Sequence, residues 1–242
     1  MIRDPNEVRE EAEVPPVDVG EARKRGEVLA SITASYFFLR RGLAFLALAF
    51  PVGLWLLAGF QDSLSAYYHC SRSGCGPAAG AGAARDVLVG VLWAAGTFLI
   101  FYRGYSRRED WALNLAGLAA AGVAFFPADF GRAAGEGQSL IGKLHFTSGL
   151  IFFLAIAFVC IFCAGDTLKH LKDQAKRIWF KRIYSGLGAA MVVVPVAVFA
   201  LHFLLDRSGV NYAVYAVEVA GLVVFSAFWL VKSREIALIE EQ

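Results

Sequence analysis

The chain has 242 residues, 57% of them hydrophobic and only 18% charged, with a formal net charge of +2. Soluble domains carry about 25% charged residues. Here long stretches carry none, which excludes a soluble single-core protein, a disordered chain, a disulfide-rich secreted domain and a collagen-like chain, and leaves a multi-pass helical membrane protein.

Residues 1–40 mix Glu and Arg around Pro15–Pro16 and read as a cytoplasmic tail with an interfacial lead-in, not as a signal peptide. Six apolar runs follow, each near the ~20 residues that cross a ~30 Å hydrocarbon core. They lie at about 42–60, 86–105, 111–128, 144–164, 185–205 and 212–231. The runs are continuous rather than alternating, so they predict helices, not barrel strands. Residues 41–233 are therefore expected to form an all-α bundle of six transmembrane helices, with 234–242 a short tail.

Lys and Arg orient the bundle. With both termini inside, the inner segments hold 18 of these residues and the outer loops five. That is a strong positive-inside bias. Trp111, Trp179 and Trp229 then fall near the inner interface, where tryptophan anchors helices. Gly117 and Ala121 make a small-xxx-small step in the third span, which favours close helix approach. The segment 166–184 repeats apolar residues at helical spacing among six basic ones. It predicts an interfacial helix on anionic lipid.

The topology gathers polar groups at the outer leaflet. The first outer loop holds Ser63, Ser65, Tyr67, Tyr68 and His69; Asp86 opens the second span, where an N-cap is wanted; Asp129 follows the third. His145 opens the fourth span, His202 lies near the outer end of the fifth, and Glu218 lies about 10 Å into the sixth. The inner leaflet shows no comparable set. Ionisable groups in spans are costly and usually face a bundle interior or wet cavity. Three histidines and a carboxylate suit zinc with an open water position. The resulting expectation is a zinc-dependent hydrolase of a lipid-like amide or ester. His69, His145 and His202 would be the ligands, Asp86 or Glu218 the base, and Ser65 a substrate or water contact. The alternatives are a non-enzymatic bundle that binds lipid, a small ligand or an assembly partner, and a proton-coupled transporter using Glu218 and His202.

Cys70 and Cys75 in the outer loop are candidates for a disulfide. Cys160 and Cys163 form C-x-x-C inside the fourth span and read as buried apolar residues. No Walker, dinucleotide, zinc-protease or nucleophile-elbow motif is present.

Ser65-x-x-x-His69, followed by Asp86 at the start of the next helix, resembles the first half of the CREST superfamily signature, which includes alkaline ceramidases and adiponectin-receptor-like proteins. The resemblance implies a zinc held by three histidines, with His69 a ligand, Ser65 beside it and Asp86 orienting a water. The chain departs from the pattern in its last helix, which carries Glu218 and no histidine, and in having six spans rather than seven. A longer stretch covers Ser63–His69, RDVLVGVLWAAGTFLIFYRGY at 85–105, NLAGLAAAGVAFFP at 114–127 and EVAGLVVFSAFWLVKS at 218–233. It resembles six-helix bacterial membrane proteins distantly similar to the Frag/DRAM/Sfk type, which implies a six-helix bundle and little else. The expected location is a bacterial inner membrane, with periplasmic or extracellular outer loops.

Overall fold

A computed structural model describes residues 19–70, 82–129, 139–204 and 212–241. Among them every regular element is helical. The elements are α1 (Val19–Ala58), a 3-10 helix (Leu64–His69), α2 (Ala83–Phe101), α3 (Arg107–Phe125), α4 (Leu140–Phe158), a π-helical turn (Val159–Cys163), α5 (Gly165–Leu168), α6 (Gln174–Leu204) and α7 (Tyr212–Glu240). Two compact units divide between Phe38 and Leu39. In the first, the described residues are helical, with Arg23 paired to Glu27 one turn on.

The second unit is a helix bundle. α2 packs on α3, α3 on α4, α4 on α6, and α6 on α7. Side chains of α7 reach four other helices. Ser226 donates to Ala44 O on α1, Trp229 meets Phe98 of α2 edge-on, Phe225 meets Phe152 of α4, and Phe228 meets Tyr184 of α6. The interior of α3 is built from small residues: Ala112, Ala116, Gly117, Ala119, Ala120 and Ala124. Phe45, Leu56, Leu118, Phe125, Phe162 and Val193 are exposed. Exposed large apolar side chains, with small residues where α3 meets its neighbours, suit a bundle solvated by lipid.

Five helical segments are long and apolar enough to cross a membrane: Arg23–Ala58, Ala83–Phe101, Leu140–Leu168, Gln174–Ala197 and Tyr212–Glu240. α3 falls short because its first turn is Arg107, Arg108, Glu109 and Asp110.

Local chemistry sets the boundaries. Gly59 ends α1 with φ 69°, its N–H donating to Trp55 O, as a left-handed C-terminal glycine does. Ser106 caps α3 by accepting from Glu109 N, and Ser139 caps α4 by accepting from Gly142 N. The expected cap at Asp86 is not there. α2 starts at Ala83 behind Gly82, whose φ of 80° glycine adopts without strain, so Asp86 sits in the first turn. The single interfacial helix expected over 166–184 is likewise not observed. The chain is non-helical at 171–173, because Asp173 accepts from Ala175 N and Lys176 N and so starts α6. Leu168 and Leu171 are buried, while Ile178 and Trp179 are exposed. Trp111 is exposed as an anchor should be, but Trp229 is buried among Phe98, Tyr102, Phe225 and Phe228.

Candidate functional site

At the end of the bundle where α1 stops, residues 59–70 form a cap that is tied to α4, to the α3–α4 connection and to α7. Ser63 starts the 3-10 helix by accepting from Ala66 N. Tyr67 is fully buried and donates its hydroxyl to Gly59 O at 2.6 Å. Burial pushes that phenol well above its ordinary range, so it stays a neutral donor. Leu64 N donates to Glu218 Oε2 of α7 at 2.6 Å. Tyr215 N, one turn before Glu218, donates to Asp62 O.

Ser65 and His69 both reach toward the α3–α4 connection. In an α-helix, residues four apart share a face. Here the helix is 3-10, with about three residues per turn, so the two point about 120° apart. Ser65 Oγ lies 2.8 Å from His145 Nε2, and His69 Nε2 donates to Ala128 O at 2.7 Å. His145 Nδ1 lies 2.7 Å from Phe126 O. A carbonyl only accepts, so Nδ1 carries the proton. In the neutral ring Nε2 is then the bare nitrogen that accepts from the Ser65 hydroxyl. His69 and Asp129 lie within electrostatic reach of His145. Asp129 accepts from both the N–H and the hydroxyl of Ser139, the residue that caps α4.

The structure therefore brings Ser65, His69 and His145 together with Asp129, and joins Glu218 to the same cap from α7. Asp86 is exposed on α2. His202 lies in the last turn of α6, and its side chain falls outside the described residues. Among the described residues no three His, Cys, Asp or Glu side chains group as a metal site. Both ring nitrogens of His145 are engaged by Ser65 and Phe126. Cys70 is buried and disulfide-bonded, and Cys75 lies outside the described residues. Cys160 and Cys163 are free and buried, in the π-helical turn.

A second polar set lies at the opposite end of the bundle, where the sequence predicts none. Arg40 of α1, Glu109 of α3, and Lys232 and Glu235 of α7 are only 3%, 3%, 2% and 0% exposed. Tyr184 of α6 donates to Glu235 Oε2 at 2.5 Å, and Lys232 Nζ lies 3.3 Å from the same oxygen. Lys232 also donates to Thr167 of α5 at 2.5 Å, and Glu109 accepts from Tyr105 N. The break in α4 at the π-helical turn allows the short α5 to bring Thr167 to Lys232. Glu109 sits in the first turn of α3, and Arg40, Lys232 and Glu235 flank apolar runs, so in the sequence each passes for a topology or capping residue.

No protein-family model, curated protein or solved structure matches the chain.

Proposed function

We propose that the chain is a six-span membrane protein with cytoplasmic termini that hydrolyses a lipid-like ester or amide at its outer face, using Ser65 as nucleophile and His145 as base. One observation carries the reading: Ser65 Oγ is 2.8 Å from His145 Nε2, while Nδ1 is held by the Phe126 carbonyl. That is the nucleophile–base–orienter arrangement, with a backbone carbonyl in the place of the usual third side chain. Ser65 Oγ attacks the acyl carbon as its proton passes to Nε2. The imidazolium returns that proton to the leaving group, and water then releases the acyl group by the same route. Asp129 lies within electrostatic reach of His145. The partial resemblance to membrane hydrolases of the CREST type falls on the same Ser65–His69 segment. The sixth crossing is α3, which packs between α2 and α4. The 18-to-5 distribution of Lys and Arg puts the cap outside and the basic start of α6 against anionic lipid.

The test is hydrolysis of long-chain nitrophenyl esters by the protein in lipid nanodiscs. Ser65→Ala is expected to abolish turnover, and His145→Gln to lower it by about 10²–10⁴-fold, the usual contribution of a general base. Chelation is expected to leave the rate unchanged. If a zinc-bound water attacks instead, chelation stops turnover and Ser65→Ala does not. A second reading rests on the four hydrogen bonds that tie the cap to α4, the α3–α4 connection and α7: the cluster is a structural clasp in a non-enzymatic ligand-binding bundle. Turnover absent from the folded wild-type protein on both esters and amides would favour it.

A further inference from the structure

The Ser65–His145 pair supplies a reaction but does not select a lipid. A cation beside the cap is placed to do so. Arg85 is exposed in the first turn of α2, at one end of a segment long and apolar enough to cross a membrane. Its guanidinium carbon lies over the Tyr68 ring, 5.2 Å from the centroid, within cation–π range. Among the described residues no carboxylate pairs with it.

Tyr68 links that cation to the serine. The 3-10 helix packs on α2, and the half-buried Tyr68 rests against the apolar cluster that includes Ala84 and Leu88 of α2. Side chains three residues apart in a 3-10 helix lie one above the other. Ser65 and Tyr68 therefore share a face, about 6 Å apart along the axis at 2.0 Å per residue. The His69 ring meets Tyr68 edge-on at 5.6 Å and is itself fastened to Ala128 O, which steadies the platform.

A guanidinium stacked on a ring still presents its N–H groups in its own plane, a fork that matches phosphate. Lipid phosphates lie just beyond the hydrocarbon core, at the level where membrane-crossing helices end. In a glycerophospholipid the phosphate and the acyl esters hang from one glycerol, a few bonds apart. That separation is of the same order as one 3-10 turn.

We propose that Arg85, on the Tyr68 platform, binds the phosphate of a glycerophospholipid and so presents an acyl ester of that lipid to Ser65. The cleavage rests on the Ser65–His145 reading; the binding does not. An arginine serving only as an interfacial anchor would leave headgroup preference unchanged when removed.

The test has a binding arm and a cleavage arm. Native mass spectrometry compares retention of ether-linked phosphatidylglycerol, which cannot be hydrolysed, with that of the matching dialkylglycerol. The wild-type protein is expected to favour the phospholipid, and Arg85→Gln to lower that preference about tenfold, as loss of one charge-assisted contact does. Arg85→Lys, which keeps the charge without the fork, is expected to fall between them. Lys143 lies two residues from His145 on α4, about 200° around the helix. Lys143→Gln makes the same change of charge there and is expected to leave the preference intact. No preference in the wild type, or equal losses in Arg85→Gln and Lys143→Gln, would overturn the phosphate assignment. Displacement of the lipid by excess glycerol phosphate would overturn the lipid as its source. The cleavage arm follows fatty-acid release from ester-linked phosphatidylglycerol. Preference intact with no release would overturn the hydrolase reading and uphold the phosphate site.

Discussion

Glu218 illustrates what one carboxylate does in this bundle. It sits inside an apolar helix, and its Oε2 accepts the N–H of Leu64 at 2.6 Å. The contact satisfies a backbone donor at the start of the 3-10 helix and pins the cap to α7. Glu218→Ala strands that N–H, so it is expected to destabilise the folded protein by about 1–3 kcal/mol. Glu218→Gln keeps an acceptor oxygen and should lose much less. Thermal unfolding in detergent measures both, and an alanine variant as stable as wild type would contradict the assignment. The cap residues are legible in the sequence because Ser65, His69, His145 and Glu218 stand out against apolar or loop surroundings. Those of the buried charge cluster are not. Arg40 counts as a positive-inside charge, Glu109 as a first-turn acid and Lys232 as a terminal cation, and only packing shows that all three are buried together. Trp229 is misread for the same reason: position along the chain suggests an interface, and the neighbours on α2, α4 and α6 put it inside.

Among the elements, the α2–α3 contact shows most directly how sequence becomes packing. The small-residue step at Gly117 and Ala121 predicts close approach, and the helices do approach there. A Cβ on Gly117 would lie 2.5 Å from Gly96 O, and one on Gly96 2.8 Å from Gly117 O. Backbone stands against backbone, so neither side yields easily. Gly117→Leu is expected to cost about 1–3 kcal/mol by overpacking. Gly53→Leu, where nothing lies within 4 Å, should be nearly neutral. Unfolding in detergent compares the two, and equal stability of both variants would argue against a tight α2–α3 seam. Helix positions were readable from apolar run length, but their ends were less so. Gly82 rather than Asp86 opens α2, and Asp173 cuts the amphipathic stretch after α5, because capping depends on backbone conformation that periodicity does not report.

On the scale of the whole molecule, two polar sets occupy opposite ends of an apolar bundle. One set is hydrogen-bonded around the 59–70 cap, and the other is a buried charge cluster where α1, α3, α5, α6 and α7 meet. We propose that the cap presents an activated serine to the outer aqueous face. The most direct measurement is covalent labelling of oriented vesicles with a membrane-impermeant fluorophosphonate, followed by mass mapping. The account predicts one adduct, on Ser65, formed in right-side-out vesicles, slowed in His145→Gln and absent from sealed inside-out vesicles. Folded protein that takes no label at Ser65 from either side would contradict the nucleophile assignment, and labelling from the inner side alone would contradict the orientation.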